Sequence, residues 1–241
     1  MMSGAFRAVV AATAAAGIGI TAFGDRYLLI GTVAAIGALF SLGWPALLGL
    51  PAPRGASVVL LATVAASIGV LLLTDDLAFV AVVFALSVVG AFVHELVRRD
   101  GRPRLVESVS GVVAGTAVIT SATGWIAVGT GPTAVGLLLC GAVTLAVAAT
   151  CTALPFPGWI GAGITIVVAA AGGLAVGSVT DVGPVAGALI GLSAGVVVAA
   201  AHRLFGQFPA SGRPFPALAA AMLPVAVAGL PVYVLARLLL A

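Results

Sequence analysis

Apolar residues recur in long blocks from Ala8 to the end of the chain, and the short breaks between blocks hold most of the charge, proline and turn residues. A helix needs about 20 mainly apolar residues, with about 17 as the short limit, to cross a hydrocarbon core about 30 Å thick. Cutting the chain at charges and Pro/Gly clusters predicts nine spans, at residues 5–23, 27–49, 58–74, 77–97, 111–129, 133–154, 158–179, 184–201 and 215–240. The breaks are Gly24-Asp25-Arg26, Pro51 to Arg54, Asp75-Asp76, Arg98 to Arg104, Gly131-Pro132, Pro155 to Gly158, Asp181 to Pro184 and Arg203 to Pro214. The predicted fold is all-α: a polytopic transmembrane helix bundle of about nine spans, forming one integral membrane domain over residues 1–241 with a cytoplasmic basic loop at about 98–110.

Charge alternates across those breaks and predicts an orientation, because loops that stay in the cytoplasm collect Arg and Lys. With the amino terminus inside, eight of the ten arginines fall on the inner side: Arg7, Arg54, Arg98, Arg99, Arg102, Arg104, Arg203 and Arg213. The outer breaks hold Asp25, Asp75, Asp76 and Asp181 with only Arg26, and Arg237 is left near the end of the last span, where it must snorkel. Ala8 to Phe23, following Arg7, has the outline of a signal peptide. Since nothing downstream reads as a secreted domain, an uncleaved first helix is the simpler expectation.

Composition agrees with a lipid solvent: 62% of residues are hydrophobic and 7% charged, against about 25% charged in a soluble domain. The absence of Lys and the 32 Gly suggest a GC-rich bacterial genome, and hence the inner, or plasma, membrane. A net charge of +3 from scattered Arg gives no basic tract for nucleic acid. Cys140 and Cys151 lie eleven residues apart in one apolar segment, about 16 Å along a helix and too far for a disulfide. His94 and His202 are remote from both cysteines in sequence, so no metal or other cofactor is expected.

Tyr27, Trp44, Trp125, Trp159 and Tyr233 all fall near span ends, as expected of rings seeking the headgroup level. Pro224 and Pro231 predict a kinked or broken ninth span, because each lacks an amide donor. Gly187, Gly191 and Gly195 stack along one face at a spacing of four, and Gly173/Gly177 and Gly111/Gly115 repeat it. Such stripes let two backbones approach closely, either inside the bundle or at a face for a second copy or a membrane partner.

The segment from His94 to Glu107 is the one loop with enough polar groups to build a site. Arg98, Arg99, Arg102 and Arg104 could hold a lipid phosphate or an anionic substrate, with Glu95 or Glu107 as partner, or could serve only to fix topology. Thr116, Thr120 and Thr123 share a face of the fifth span, suited to interhelical hydrogen bonds or to a polar pathway. No span carries a carboxylate near its middle, which argues against proton coupling through a buried acid. Without Lys there is no phosphate-cradling GxxxxGK[ST] loop, and HExxH and GxSxG are missing too.

Residues 84–128, with His94-Glu95-Leu96-Val97-Arg98-Arg99 closing one span and Glu107-Ser108-Val109-Ser110-Gly111 opening the next, resemble the corresponding part of phosphatidate cytidylyltransferases. That resemblance implies a lipid-modifying membrane protein. The family's C-terminal Lys-Arg, Lys-Asp, His-Gly-Gly and Asp-Arg elements have no counterpart, and no acidic residue follows Asp181, so no catalytic or metal-binding position carries over. The expectation is a permease-like, non-enzymatic protein that handles a neutral or lipidic molecule among membrane lipids. The alternatives are an accessory subunit of a cell-envelope complex and a lipid-modifying protein.

Overall fold

A computed structural model describes residues 4–240, with side chains described as far as Leu238. It is all-helical, with no strand among the described residues. The helices are α1 (Gly4–Thr21), α2 (Arg26–Leu47), α3 (Pro53–Thr74), α4 (Ala78–Val97), α5 (Leu105–Ala122), α6 (Gly124–Ala127), α7 (Pro132–Cys151), α8 (Gly158–Ser178), α9 (Pro184–Gly206), α10 (Pro214–Val227) and α11 (Gly229–Leu240). Taken together, α5 with α6 and α10 with α11 each make one long apolar element, so nine elements among the described residues are long and apolar enough to cross a membrane.

Proline sets four of the starts. Pro53, Pro132, Pro184 and Pro214 each open a helix, where the missing N–H would have been unpaired anyway and the fixed φ suits the first turn. Asp25 caps α2 by accepting from the Tyr27 amide at 3.2 Å. Three starts and ends outrun the hydropathy pattern. α3 begins at Pro53 rather than residue 58, α5 at Leu105 rather than 111, and α9 continues to Gly206 rather than 201. In each case a polar residue ended the apolar block while the helical backbone ran on through it.

Contacts between breaks confirm that successive helices alternate in direction. Arg26 pairs with Asp75, tying the α1–α2 turn to the α3–α4 turn. At the other end, the Arg104 guanidinium donates to the Gly49 carbonyl at 2.9 Å, joining the α2–α3 and α4–α5 turns. One end of the bundle thus carries Asp25, Asp75, Asp76 and Asp181, and the opposite end carries Arg7, Arg54, Arg98 to Arg104, Arg203 and Arg213.

The interior is built from small and hydroxyl residues around a few large ones. Ala15, Ala148, Ser41, Thr116 and Thr144 are fully buried beside Phe40, Leu137 and Leu145. On α4 the buried residues Val80, Val83, Ser87, Ala91 and Glu95 form a narrow seam, while Phe79, Val82, Leu86, Val89, Phe92 and Leu96 face outward. Small residues inside and bulky apolar ones outside is the arrangement expected when helices pack in lipid.

Candidate functional site

Two elements are interrupted for one residue each, and the interruptions meet. The first lies at Thr123, between α5 and α6, and the second at Ala228, between α10 and α11. Pro224 and Pro231 flank the second, as the sequence led one to expect. Nothing but Gly124 marks the first. A Cβ on Gly124 would overlap the Gly229 carbonyl oxygen, and one on Gly229 would lie 2.6 Å from the Ser121 carbonyl oxygen and 2.8 Å from Trp125 Cδ1. Backbone therefore rests on backbone where the two elements cross.

Trp125 holds this crossing together. Its indole N–H donates to the Val225 carbonyl at 2.8 Å, one of the carbonyls in the last turn of α10 that has no partner within its own helix. The ring is 1% exposed and presses on Gly141 of α7, where a Cβ would lie 2.7 Å from Trp125 Cη2. Trp125, near a span end, thus faces the bundle interior rather than the bundle surface. Trp44 is likewise buried, with its indole N–H donating to the Gly111 carbonyl at 2.8 Å. Both indoles satisfy backbone carbonyls inside the bundle, whereas Tyr27 and Trp159 are exposed.

The polar segment between α4 and α5 folds into a connected network that leaves Arg98 Nε and His94 Nε2 buried without a hydrogen-bond partner. Glu95, 2% exposed on the last turn of α4, accepts from Arg98 Nη1 at 2.6 Å and from the Ser108 hydroxyl at 2.5 Å. Arg98 Nη2 donates to Asp100 at 2.7 Å, Arg102 to the Leu96 carbonyl at 2.9 Å, and Arg104 to Glu107 at 2.5 Å. Arg102 and Arg104 both adopt positive φ, 51° and 54°, beside Gly101 at 78°. The Arg98 hydrogen bond holds the Asp100 carboxyl below the usual carboxylate range, and the same bond raises Arg98 further above its ordinary value. The irregular stretch is shorter than expected, since residues 105–110 belong to α5. Of its four arginines only Arg99 makes no polar contact with the described residues.

The glycine stripes face each other inside the bundle. A Cβ on Gly173 would overlap the Gly187 carbonyl oxygen and one on Gly187 the Gly173 carbonyl oxygen. Gly177 meets the Gly183 carbonyl, Gly191 that of Ala169, and Gly195 the Ile166 Cα. On α5, Gly111 abuts Leu48 and Leu50, and Gly115 abuts Leu60 and Trp44. The hydroxyls of Thr116, Thr120 and Thr123 bond back to carbonyls of their own helix, Val113, Thr116 and Thr120. An interhelical hydroxyl bond occurs elsewhere, from Thr63 on α3 to Ser87 on α4 at 2.8 Å. Cys140 and Cys151 are free thiols, and no His/Cys/Asp/Glu group among the described residues could hold a metal ion.

No protein-family model matches the chain, and no curated protein or solved structure matches it.

Proposed function

We propose that this is a multi-pass protein of a bacterial inner membrane, with a cytoplasmic amino terminus, that acts as a permease-like carrier for a neutral or lipidic molecule. The observation that carries the reading is the crossing of the two interrupted elements at Gly124 and Gly229. Interrupted helices that meet inside a bundle are a recurring feature of transporters, and the irregular backbone is tolerated because protein surrounds it. The lack of a carboxylate near the middle of any span favours a solute that brings no charge to be matched there. Arginine asymmetry between the two ends supports the orientation.

The rival readings have less behind them. The glycine faces on which an accessory subunit would dock are filled by the chain itself. The loop arginines that an enzyme would aim at a phosphate are, apart from Arg99, already bonded to Glu95, Leu96, Gly49, Asp100 or Glu107. The test is purification in a mild detergent or nanodiscs followed by mass spectrometry of what stays bound. A retained lipid or neutral small molecule is expected, and a stoichiometric protein partner in its place would overturn the carrier reading in favour of an accessory subunit.

A further inference from the structure

The arginine-rich end of the bundle contains a second polar feature, made from residues that are almost two hundred positions apart. A cleft of about 230 Å³ opens between the end of α7, the start of α8 and the end of α9, with Arg203, His202, Thr165 and Cys151 in its wall. A narrower extension shares Thr152 and His202 with it and runs between α1 and α10, past Arg7 to Pro224. His202 lies within electrostatic reach of both Arg7 and Arg203.

Arg7 and Arg203 make no ion pair with any described residue. The chain has no acidic residue after Asp181, and Asp181 is at the opposite end. Two cations that both act on one half-buried histidine without a counter-charge leave a local excess of positive charge, which water screens poorly there. The helix dipoles do not relieve this, since α1 and α8 start here while α7 and α9 end here, and their partial charges offset one another. The Arg203 guanidinium is nevertheless fixed in place, 4.1 Å from the centre of the exposed Trp159 ring and with Nη1 over Gly158. A stacked Arg keeps its fork of donors directed sideways, the geometry that suits a phosphate.

Two exposed apolar side chains, Leu154 and Phe156, line the cleft, and Ile160 and Leu204, next in sequence to other cleft elements, are exposed as well. An anion seated here would therefore sit at the boundary between a polar pocket and an apolar surface. We infer that this cleft binds a phosphate group, carried by the head of an anionic lipid, with the acyl chains lying along the apolar rim. Basic pockets between helices at the cytoplasmic face serve this purpose in membrane proteins generally. The site stands whether or not the protein transports anything.

The test uses the full chain in phosphatidylcholine nanodiscs, either doped with phosphatidylglycerol or titrated with inorganic phosphate, read by native mass spectrometry and by thermal shift. Wild type is expected to retain phosphatidylglycerol, with Arg203→Gln lowering occupancy by about tenfold or more and Arg7→Gln, on the adjoining extension, lowering it by a smaller factor. Arg203→Lys should keep part of the binding. Arg213→Gln, which removes an exposed cation outside the cleft, should bind as wild type. Each variant's unfolding in plain phosphatidylcholine checks that it is folded. Stabilisation by inorganic phosphate alone, lost in Arg203→Gln, would support the site with a free anion as its source. Undiminished lipid retention in folded Arg203→Gln, or no response to either probe, would overturn it.

Discussion

The Trp125 indole N–H reaches the Val225 carbonyl at 2.8 Å, a hydrogen bond that links α6 to the last turn of α10 one hundred residues later in the chain. Neither group has water to turn to. Trp125→Phe keeps most of the ring but leaves that carbonyl unpaired, which should cost about 1–3 kcal/mol. Trp125→Ala also opens a cavity and should cost about 3–5 kcal/mol. Denaturant or thermal unfolding in detergent measures both, and equal stability for Phe and Trp would show that the hydrogen bond contributes nothing.

The α8–α9 contact predicts a sharp contrast between neighbouring glycines. Gly173→Ala places a methyl group against the Gly187 carbonyl and should destabilise by about 1–3 kcal/mol. Gly172→Ala meets open space and should be neutral or stabilising by up to about 1 kcal/mol. If the two substitutions behave alike, the close approach of these helices is wrong.

Ser108 donates to the buried Glu95 carboxylate. Ser108→Ala should cost about 1.5–3 kcal/mol, the range for a hydrogen bond to a charged group. Arg99→Gln, with no polar partner to lose, should leave unfolding unchanged. A destabilised Arg99→Gln would reveal a contact that the network described above does not contain.

Acid should loosen the loop. Asp100 has a depressed pKa in the folded chain, so its contribution is complete above the unfolded carboxyl value, about 3.9, and is lost as pH falls through the lower folded value. Hydrogen exchange at residues 98–104 should therefore be flat from about pH 5 to pH 8 once intrinsic rates are removed, and should rise below about pH 4. A rise centred near neutrality would point to some other group.

Orientation can be read by labelling single-cysteine variants with a membrane-impermeant maleimide. Arg99→Cys should react only after cells are permeabilised, and Asp181→Cys in intact cells. The reverse pattern would invert the proposed topology.

The number and order of the spans were legible because every break contains a charge, a proline or a glycine cluster, and lipid tolerates little ambiguity about where charge can lie. Less legible were the helix ends. Arg54, Glu107 and His202 lie inside helices that a hydropathy window stops short of, since backbone hydrogen bonding propagates through a polar residue at no great cost. The interruption at Thr123 has no proline to announce it and depends on Gly229, a residue more than one hundred positions away. The burial of Trp125 and Trp44 was hidden for a related reason. A Trp near a span end suits the interface or a buried carbonyl equally well, and only the tertiary fold decides between them. The stacking of the three glycines on α9 was plain, but which helix would cover them was not.

That glycine contact has a consequence for how the protein is made. The turn between α8 and α9 spans only residues 179–183, and at their glycines the two helices touch mainly through main chain. Few rotamers need to be sorted before they meet, so the pair can leave the translocon as a preformed hairpin and present one surface to α7. A synthesis intermediate ending just beyond Gly206 would already contain this unit, and the final element from Pro214 would be added to a scaffold whose last two members are in place.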